Sequence, residues 1–462
     1  MKRICLFSFL LLFITSVSAS ISLPAIFGDH MVLQQNTLIT IWGWGKPNEE
    51  IELTASWDPE KTYALKVESQ SRWSLEINTP QAGGPYELTI KGHNTIKIKD
   101  ILIGEVWLGS GQSNMEWAPR MNIDNAEEEK AKAQFPEIRF FTVLTSTATS
   151  PQQHLIGKWV KCTPENMNEF SAVMYFFGRE VHQTLDIPVG LIHSSWGGTP
   201  VEVWIPESRV KGDRIVSASA NLLEPIPWGP ITPGLAYNAM IHPLIPFKIK
   251  GALWYQGESN VINAQYYARS LEMMINAWRE AWGEDFPFYY VQIAPYSGYG
   301  KDNVDGAIVR DQQRRLMEEV ECTGMVIISD IGNLTDIHPK NKQDVGKRLA
   351  NWALNQDYGF KKIAVSGPLY HSYELNESKL IIHFTHAESG LFSSQTELKG
   401  FSLLNQAGHW KTVPAQIKGS SVVIDLAKDS LPQGLRFAFT NDFVPDLFNQ
   451  AQLPASCFEV LW

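Results

Sequence analysis

Within residues 20–100 several short segments alternate apolar and polar positions with period two. Met31-Val32-Leu33, Leu38-Ile39-Thr40-Ile41-Trp42, Ile51-Glu52-Leu53-Thr54, Trp73-Ser74-Leu75-Glu76-Ile77 and Tyr86-Glu87-Leu88-Thr89-Ile90 are separated by Gly, Pro or Asn. Successive side chains of a strand point to opposite faces, so this rhythm predicts short strands with one buried side, as in a small β-sandwich. From residue 101 to about 360 the rhythm changes. Apolar runs at 101–108, 187–193, 249–255, 288–293 and 325–330 read as buried strands, and 174–185, 264–282, 307–320 and 342–355 carry helical periodicity. Alternation of that kind predicts an α/β domain with a parallel sheet and helices on both faces. Short strands return after residue 361, at 379–384, 422–426 and 435–439, and predict a second β-sandwich-like domain to residue 462.

The first nineteen residues follow a different logic. Lys2 and Arg3 precede the apolar run Ile4 to Val17, which ends in Val17-Ser18-Ala19. This is the pattern of a cleavable signal peptide, and it predicts export to the periplasm or beyond the cell. No later stretch is apolar over the roughly 20 residues that a spanning helix needs, so membrane insertion is not expected. With Cys5 inside the leader, Cys162, Cys322 and Cys457 remain. Their spacing fits neither a disulfide framework nor a zinc cluster, and they read as buried small apolar residues with at most one disulfide.

Composition narrows the partners. The chain has 462 residues, 19% charged and 44% hydrophobic, with a net charge of −10. It has no basic block, so nucleic acid and anionic membranes are not expected as partners, and a neutral or weakly charged ligand is. No His-Glu-x-x-His or comparable ligand cluster occurs, and Asp302-Asn303-Val304-Asp305-Gly306 is only a fragment of a calcium loop; no metal or other cofactor is expected.

Candidate chemistry gathers at the predicted strand ends. Ser113 lies in Gly109-Ser110-Gly111-Gln112-Ser113-Asn114-Met115, just past the first central strand, where open α/β sheets bind ligands. A serine nucleophile needs a base and donors for the developing oxyanion. His338, in Leu334-Thr335-Asp336-Ile337-His338-Pro339, follows the last strand, and Asp336 is placed to hold its tautomer. Two further loops leave the same edge: His193-Ser194-Ser195-Trp196-Gly197-Gly198-Thr199-Pro200 offers backbone donors, and Trp254-Tyr255-Gln256-Gly257-Glu258-Ser259-Asn260 offers amides and a carboxylate.

Together, Gly111-Gln112-Ser113-Asn114-Met115, Ser194-Ser195-Trp196-Gly197-Gly198-Thr199-Pro200, Gln256-Gly257-Glu258-Ser259-Asn260 and Asp336-Ile337-His338-Pro339 resemble, in order, the signature blocks of the SGNH hydrolases. More narrowly they resemble the sialate O-acetylesterase family of carbohydrate esterases. Phe27-Gly28-Asp29-His30-Met31-Val32-Leu33-Gln34 and Leu453-Pro454-Ala455-Ser456-Cys457-Phe458 are similar to that family's opening and closing segments, so the likeness covers nearly the whole chain after the leader.

The resemblance implies an SGNH-type three-layer α/β/α esterase domain that removes acetyl groups from sugar hydroxyls through an acetyl-enzyme, on an acetylated sugar or glycan. Ser113 is then the nucleophile, His338 the base, and Asp336 or Glu258 the carboxylate behind it. Many members of the wider superfamily place the aspartate three residues before the histidine; here that position is Thr335. The implied oxyanion hole comprises the Ser113 N–H, Gly197 or Gly198, and Gln256 or Asn260, with Gln256 favoured because Asn260 falls one place late. Among sixteen tryptophans, Trp117 and Trp196 are the expected sugar contacts, while Trp107 and Trp254 belong to the core. Arg120, Arg179 and Arg310 are the arginines that would suit a sialic carboxylate, and none is assigned. Two alternatives stand beside the leading one: an acetyl xylan or xyloglucan esterase, and a glycan-binding protein with an inactive core.

Overall fold

The computed structural model of the protein describes residues 21–376, 378–395, 397–427 and 431–462. The expected leader, 1–19, lies outside the described residues. Seven strands form the central sheet: β1 (Thr95–Gly111), β2 (Phe135–Thr142), β3 (Trp159–Cys162), β4 (Val189–Ser195), β5 (Gly251–Tyr255), β6 (Phe288–Val291) and β7 (Thr323–Val326). Their spatial order is β7-β6-β5-β1-β4-β2-β3, and all pairs are parallel except β2 with β3.

Period-two geometry makes this the middle of three layers. Phe140, Leu191, Leu253 and Tyr289 enter an apolar cluster with the helices α2 (Ala172–Leu185) and α5 (Lys342–Gln356), which follow the short helix α1 (Ser113–Glu116) in chain order. Their neighbours Phe141, Ile192, Trp254 and Tyr290 enter a second cluster with α3 (Tyr267–Trp282) and α4 (Asp305–Glu319) on the opposite face. Side chains on alternate faces of buried strands must both be apolar, which is why these strands read as solid apolar runs. The α/β/α fold read from the sequence is the fold of the protein.

Two strands escaped the reading. β2 holds Pro136, Glu137 and Arg139, and β3 is four residues long at the sheet edge, so neither shows an apolar run.

The flanking regions differ in how they join this sheet. Residues 83–91 pair with the first half of β1, 50–55 pair with 83–91 and 58–66 pair with 50–55, and the ribbon of 38–44 with 72–78 shares their interior. β1 runs unbroken across residue 100, carrying the N-terminal sheet directly into the central one. After residue 368, two four-stranded antiparallel sheets enclose a separate core that includes Leu380, Ile382, Phe401, Val422, Leu435 and Phe458. Cys162 and Cys457 are buried, whereas Cys322 is exposed at a turn, and all three are free thiols.

Candidate active site

Gly111 ends β1 with φ +134°, and a Cβ there would lie 2.2 Å from the Tyr255 carbonyl oxygen, so only glycine lets the chain turn between β4 and β5. The turn delivers Ser113 to the start of α1, where the first N–H groups have no intrahelical acceptor. The loop after β7 brings His338 back over the same edge, and Asn341 caps α5 by accepting from the Asp344 N–H at 3.0 Å. His338 Nε2 lies 2.9 Å from Ser113 Oγ. The two residues are 225 positions apart in the chain and meet only through the sheet order.

The imidazole is held from its face. Trp117 stacks on it with ring centroids 4.0 Å apart and 16° between planes, and anchors itself through Nε1 to the Met121 carbonyl at 3.1 Å. Trp117, expected as a sugar platform, fixes the plane of His338. Burial lowers the His338 pKa below its ordinary value, the Lys342 ammonium lowers it further, and Asp336 opposes both. A half-buried, neutral imidazole is the form that accepts a proton.

The supporting carboxylate is not a hydrogen-bonded one. Asp336 Oδ1 stands 3.9 Å from His338 Nδ1, and the same oxygen accepts the His338 backbone N–H at 2.9 Å. Asp336 thus shapes the loop and contributes its charge from just outside hydrogen-bond reach. Glu258 does not support the histidine: its Oε1 accepts from Asn114 Nδ2 at 2.6 Å, deep under the serine turn, where burial raises its pKa.

The expected oxyanion donors sort themselves by partner. Gln256 is fully buried, donating to the Thr199 carbonyl at 3.2 Å and to Asn260 Oδ1 at 2.7 Å, while its own oxygen accepts from Tyr267 at 2.8 Å. Asn260 donates to Glu202 at 2.9 Å and to Asn263 at 3.0 Å. Both amides are spent in a buried lattice beneath the cleft, which corrects their expected role. Gly197 is spent too, its N–H going to Glu116 Oε2 at 2.8 Å. Among the described residues this leaves the N–H groups of Ser113 and Gly198 without an acceptor. Gly198 holds φ +74°, the left-handed region that glycine adopts without strain.

Around the dyad lies a cleft of about 660 Å³. Trp196, expected as a sugar contact, lines it and donates through Nε1 to the Trp228 carbonyl at 2.8 Å. The segment 222–231 supplies a rim, and Trp228 at its tip is 62% exposed. Reading the sequence missed Trp228 as well as Glu116, Asn114 and Lys342. Glu116 follows Ser113 by one helical turn. Lys342 leads the apolar stripe that continues through Val345, Gly346, Leu349 and Ala353, a legible anomaly. Trp107 and Trp254 are fully buried.

Among the described residues, no group of three or more His, Cys, Asp or Glu side chains is placed to hold a metal, and no helix is long and apolar enough to cross a membrane.

An α/β/α sheet carrying a serine and a histidine in contact on the lining of a cleft defines an ester hydrolase of the serine type. Residues 103–355 match the family model described as "Carbohydrate esterase, sialic acid-specific acetylesterase", and the chain belongs to that family. It is 30% identical over 455 residues to the sialate O-acetylesterase of Homo sapiens, covering 89% of this chain and 86% of the relative. To that of Pongo abelii it is 31% identical over 396 residues, 78% of this chain and 75% of the other. Among solved structures, a carbohydrate acetylesterase from Xanthomonas citri is 33% identical and superposes with a TM-score of 0.86, over 95% of this chain and 99% of that one.

Proposed function

We propose that the protein is a carbohydrate O-acetylesterase in which Ser113 and His338 carry the chemistry. The observation that bears most weight is the 2.9 Å contact between Ser113 Oγ and His338 Nε2, both lining an open cleft. Ser113 Oγ attacks the acetyl carbonyl while Nε2 takes its proton, and the Ser113 and Gly198 N–H groups hold the oxyanion. Collapse expels the sugar oxygen, which takes the proton back from Nε2. Water, deprotonated by the same nitrogen, then releases acetate and restores the serine. Asp336 favours the imidazolium formed in each half-reaction through its nearby charge.

The family description and the mammalian relatives point to an acetylated sialic acid as the sugar. The charge of the cleft favours a second reading, an acetylated neutral polysaccharide of the xylan or xyloglucan kind. Among the described residues, the ionisable side chains lining it are Glu116, Glu224, Glu258 and His338, and no lysine or arginine lines it. A sialic carboxylate would enter without a cationic partner and beside like charge, whereas neutral hydroxyls can donate to the carboxylates. Acetate release from O-acetylated sialic acid and from acetylated xylan at equal acetyl concentration decides between the sugars. Release from neither, with model acetyl esters also untouched, would sink the esterase reading. The proposal includes export, on the leader-like segment 1–19; N-terminal sequencing of the protein from periplasm or medium tests it.

A further inference from the structure

Lys342 is a charged side chain in an expensive place. It is 1% exposed, and it opens α5, where the helix dipole disfavours a cation. Its surroundings explain why it is tolerated. Nζ donates to Asn114 Oδ1 at 2.6 Å and lies 5.3 Å from the centre of the Tyr255 ring. Asn114 in turn donates from Nδ2 to Glu258 Oε1 at 2.6 Å and to the Ile337 carbonyl at 2.9 Å. One amide therefore joins the residue after the nucleophile, the residue before the base, and a buried pair of opposite charges.

We propose that Lys342 is a positioning residue of the ester hydrolysis, locking Asn114 so that the Ser113 turn and the His338 loop keep their contact. This rests on the Ser113 and His338 reading above. Without the ammonium, the Asn114 side chain has one fewer restraint and can turn from the Ile337 carbonyl, and the imidazole is freed to drift from Ser113 Oγ. A misplacement of about 1 Å at a reacting pair can cost on the order of 10²-fold in rate.

The same cation reaches His338 electrostatically. The groups facing the imidazole are Ser113 and Trp117 from the α1 region, Asp336 from its own loop, and Lys342 from α5. Those facing Lys342 are Asn114, Glu258, Tyr255 and Asp336. Burial pulls the Lys342 pKa down to about 7, against the pull of Glu258 and Asp336. Lysine is thus protonated across the range below 6.5 in which His338 titrates. Removing its charge removes one of the two influences that keep His338 neutral, so the acidic limb of kcat/KM moves to higher pH.

The test uses Lys342→Met and Lys342→Gln in the full chain, with p-nitrophenyl acetate as probe from pH 5 to 9 and thermal unfolding as a check on the fold. In Lys342→Met, kcat is expected to fall about 10²-fold with KM little changed, and the acidic limb to rise by roughly half a unit or more. Lys342→Gln, whose amide still donates to Asn114, is expected to recover much of kcat while keeping the displaced limb. A folded Lys342→Met with parental kcat, or a limb unmoved in both variants, overturns the proposal. If Lys342→Met does not fold, Lys342→Gln decides by its limb alone. Ser113→Ala is assayed alongside: its loss of activity with normal lysine variants overturns only the role of Lys342, whereas its retention of activity overturns the dyad reading and this proposal with it.

Discussion

Neighbouring strands of one sheet, β1 and β4, each bring a serine to a histidine, and the two pairs meet opposite fates. Ser113 Oγ meets His338 Nε2 in an open cleft that Gly198 also lines, and among the described residues the N–H groups of Ser113 and Gly198 have no acceptor. At the end of β4, Ser195 Oγ is hydrogen-bonded to His193 Nε2, but both residues are buried and neither lines the cleft. Burial pushes the His193 pKa down to about 4, while His338, half-buried, is lowered less and keeps Asp336 beside it. Contact between a hydroxyl and an imidazole is therefore not enough. A pair becomes a catalytic dyad when a substrate can reach it, donors await the oxyanion and a charge stabilises the imidazolium.

Exchanging the two serines should expose the contrast most sharply. Ser113→Ala should cut acetate release on the order of 10⁴-fold or more with the fold intact, and a fluorophosphonate should label Ser113 and leave Ser195 untouched. Label on Ser195 would erase the distinction. The oxyanion side comes next. A Cβ on Gly198 would lie 2.1 Å from Trp228 Nε1 and would strain the positive φ, so Gly198→Ala should lower kcat by about 10²-fold as the N–H shifts. The same substitution at Gly197, whose N–H is already given to Glu116, is expected to matter less for the oxyanion.

Stability should report the buried pair instead. Because the folded-state pKa of His193 is depressed, unfolded chains take up its proton below about 6.5 and folded ones only below about 4. Its contribution is fully present above pH 6.5 and is lost as pH falls through that window, to a total of about 3 kcal/mol. Urea unfolding of the parent and of His193→Gln should diverge across pH 6.5 to 4; parallel curves would count against a neutral buried imidazole. The smallest change is Ser195→Ala, which leaves His193 Nε2 without its partner. It should cost about 1–2 kcal/mol of stability and leave acetate release intact.

Much of this site was legible because the needed residues sit at the ends of apolar runs, and period-two burial fixes where such runs end. Ser113, the glycine pair and His338 were found that way. The buried amides were misassigned for a related reason: Gln256 and Asn260 also follow a strand, but their direction is set by Glu202, Asn263 and Tyr267, which no local pattern brings together. Glu116 likewise claims the Gly197 N–H across 81 residues. The choice between Asp336 and Glu258 was open for the same cause, since both follow strands and only the packing of Asn114 turns Glu258 away.

By itself the sequence determined the order of five of the seven central strands and of the four long helices that cover them, the glycines that permit the turn at Ser113, and the ordered blocks that carry the family likeness. These are local properties, dictated by side-chain periodicity and by which backbone angles a residue can hold. Tertiary structure alone decided which polar groups face the cleft and which are consumed beneath it. A buried donor or acceptor left without a partner is costly, so most find one, and at this site that partner is often far away in the chain.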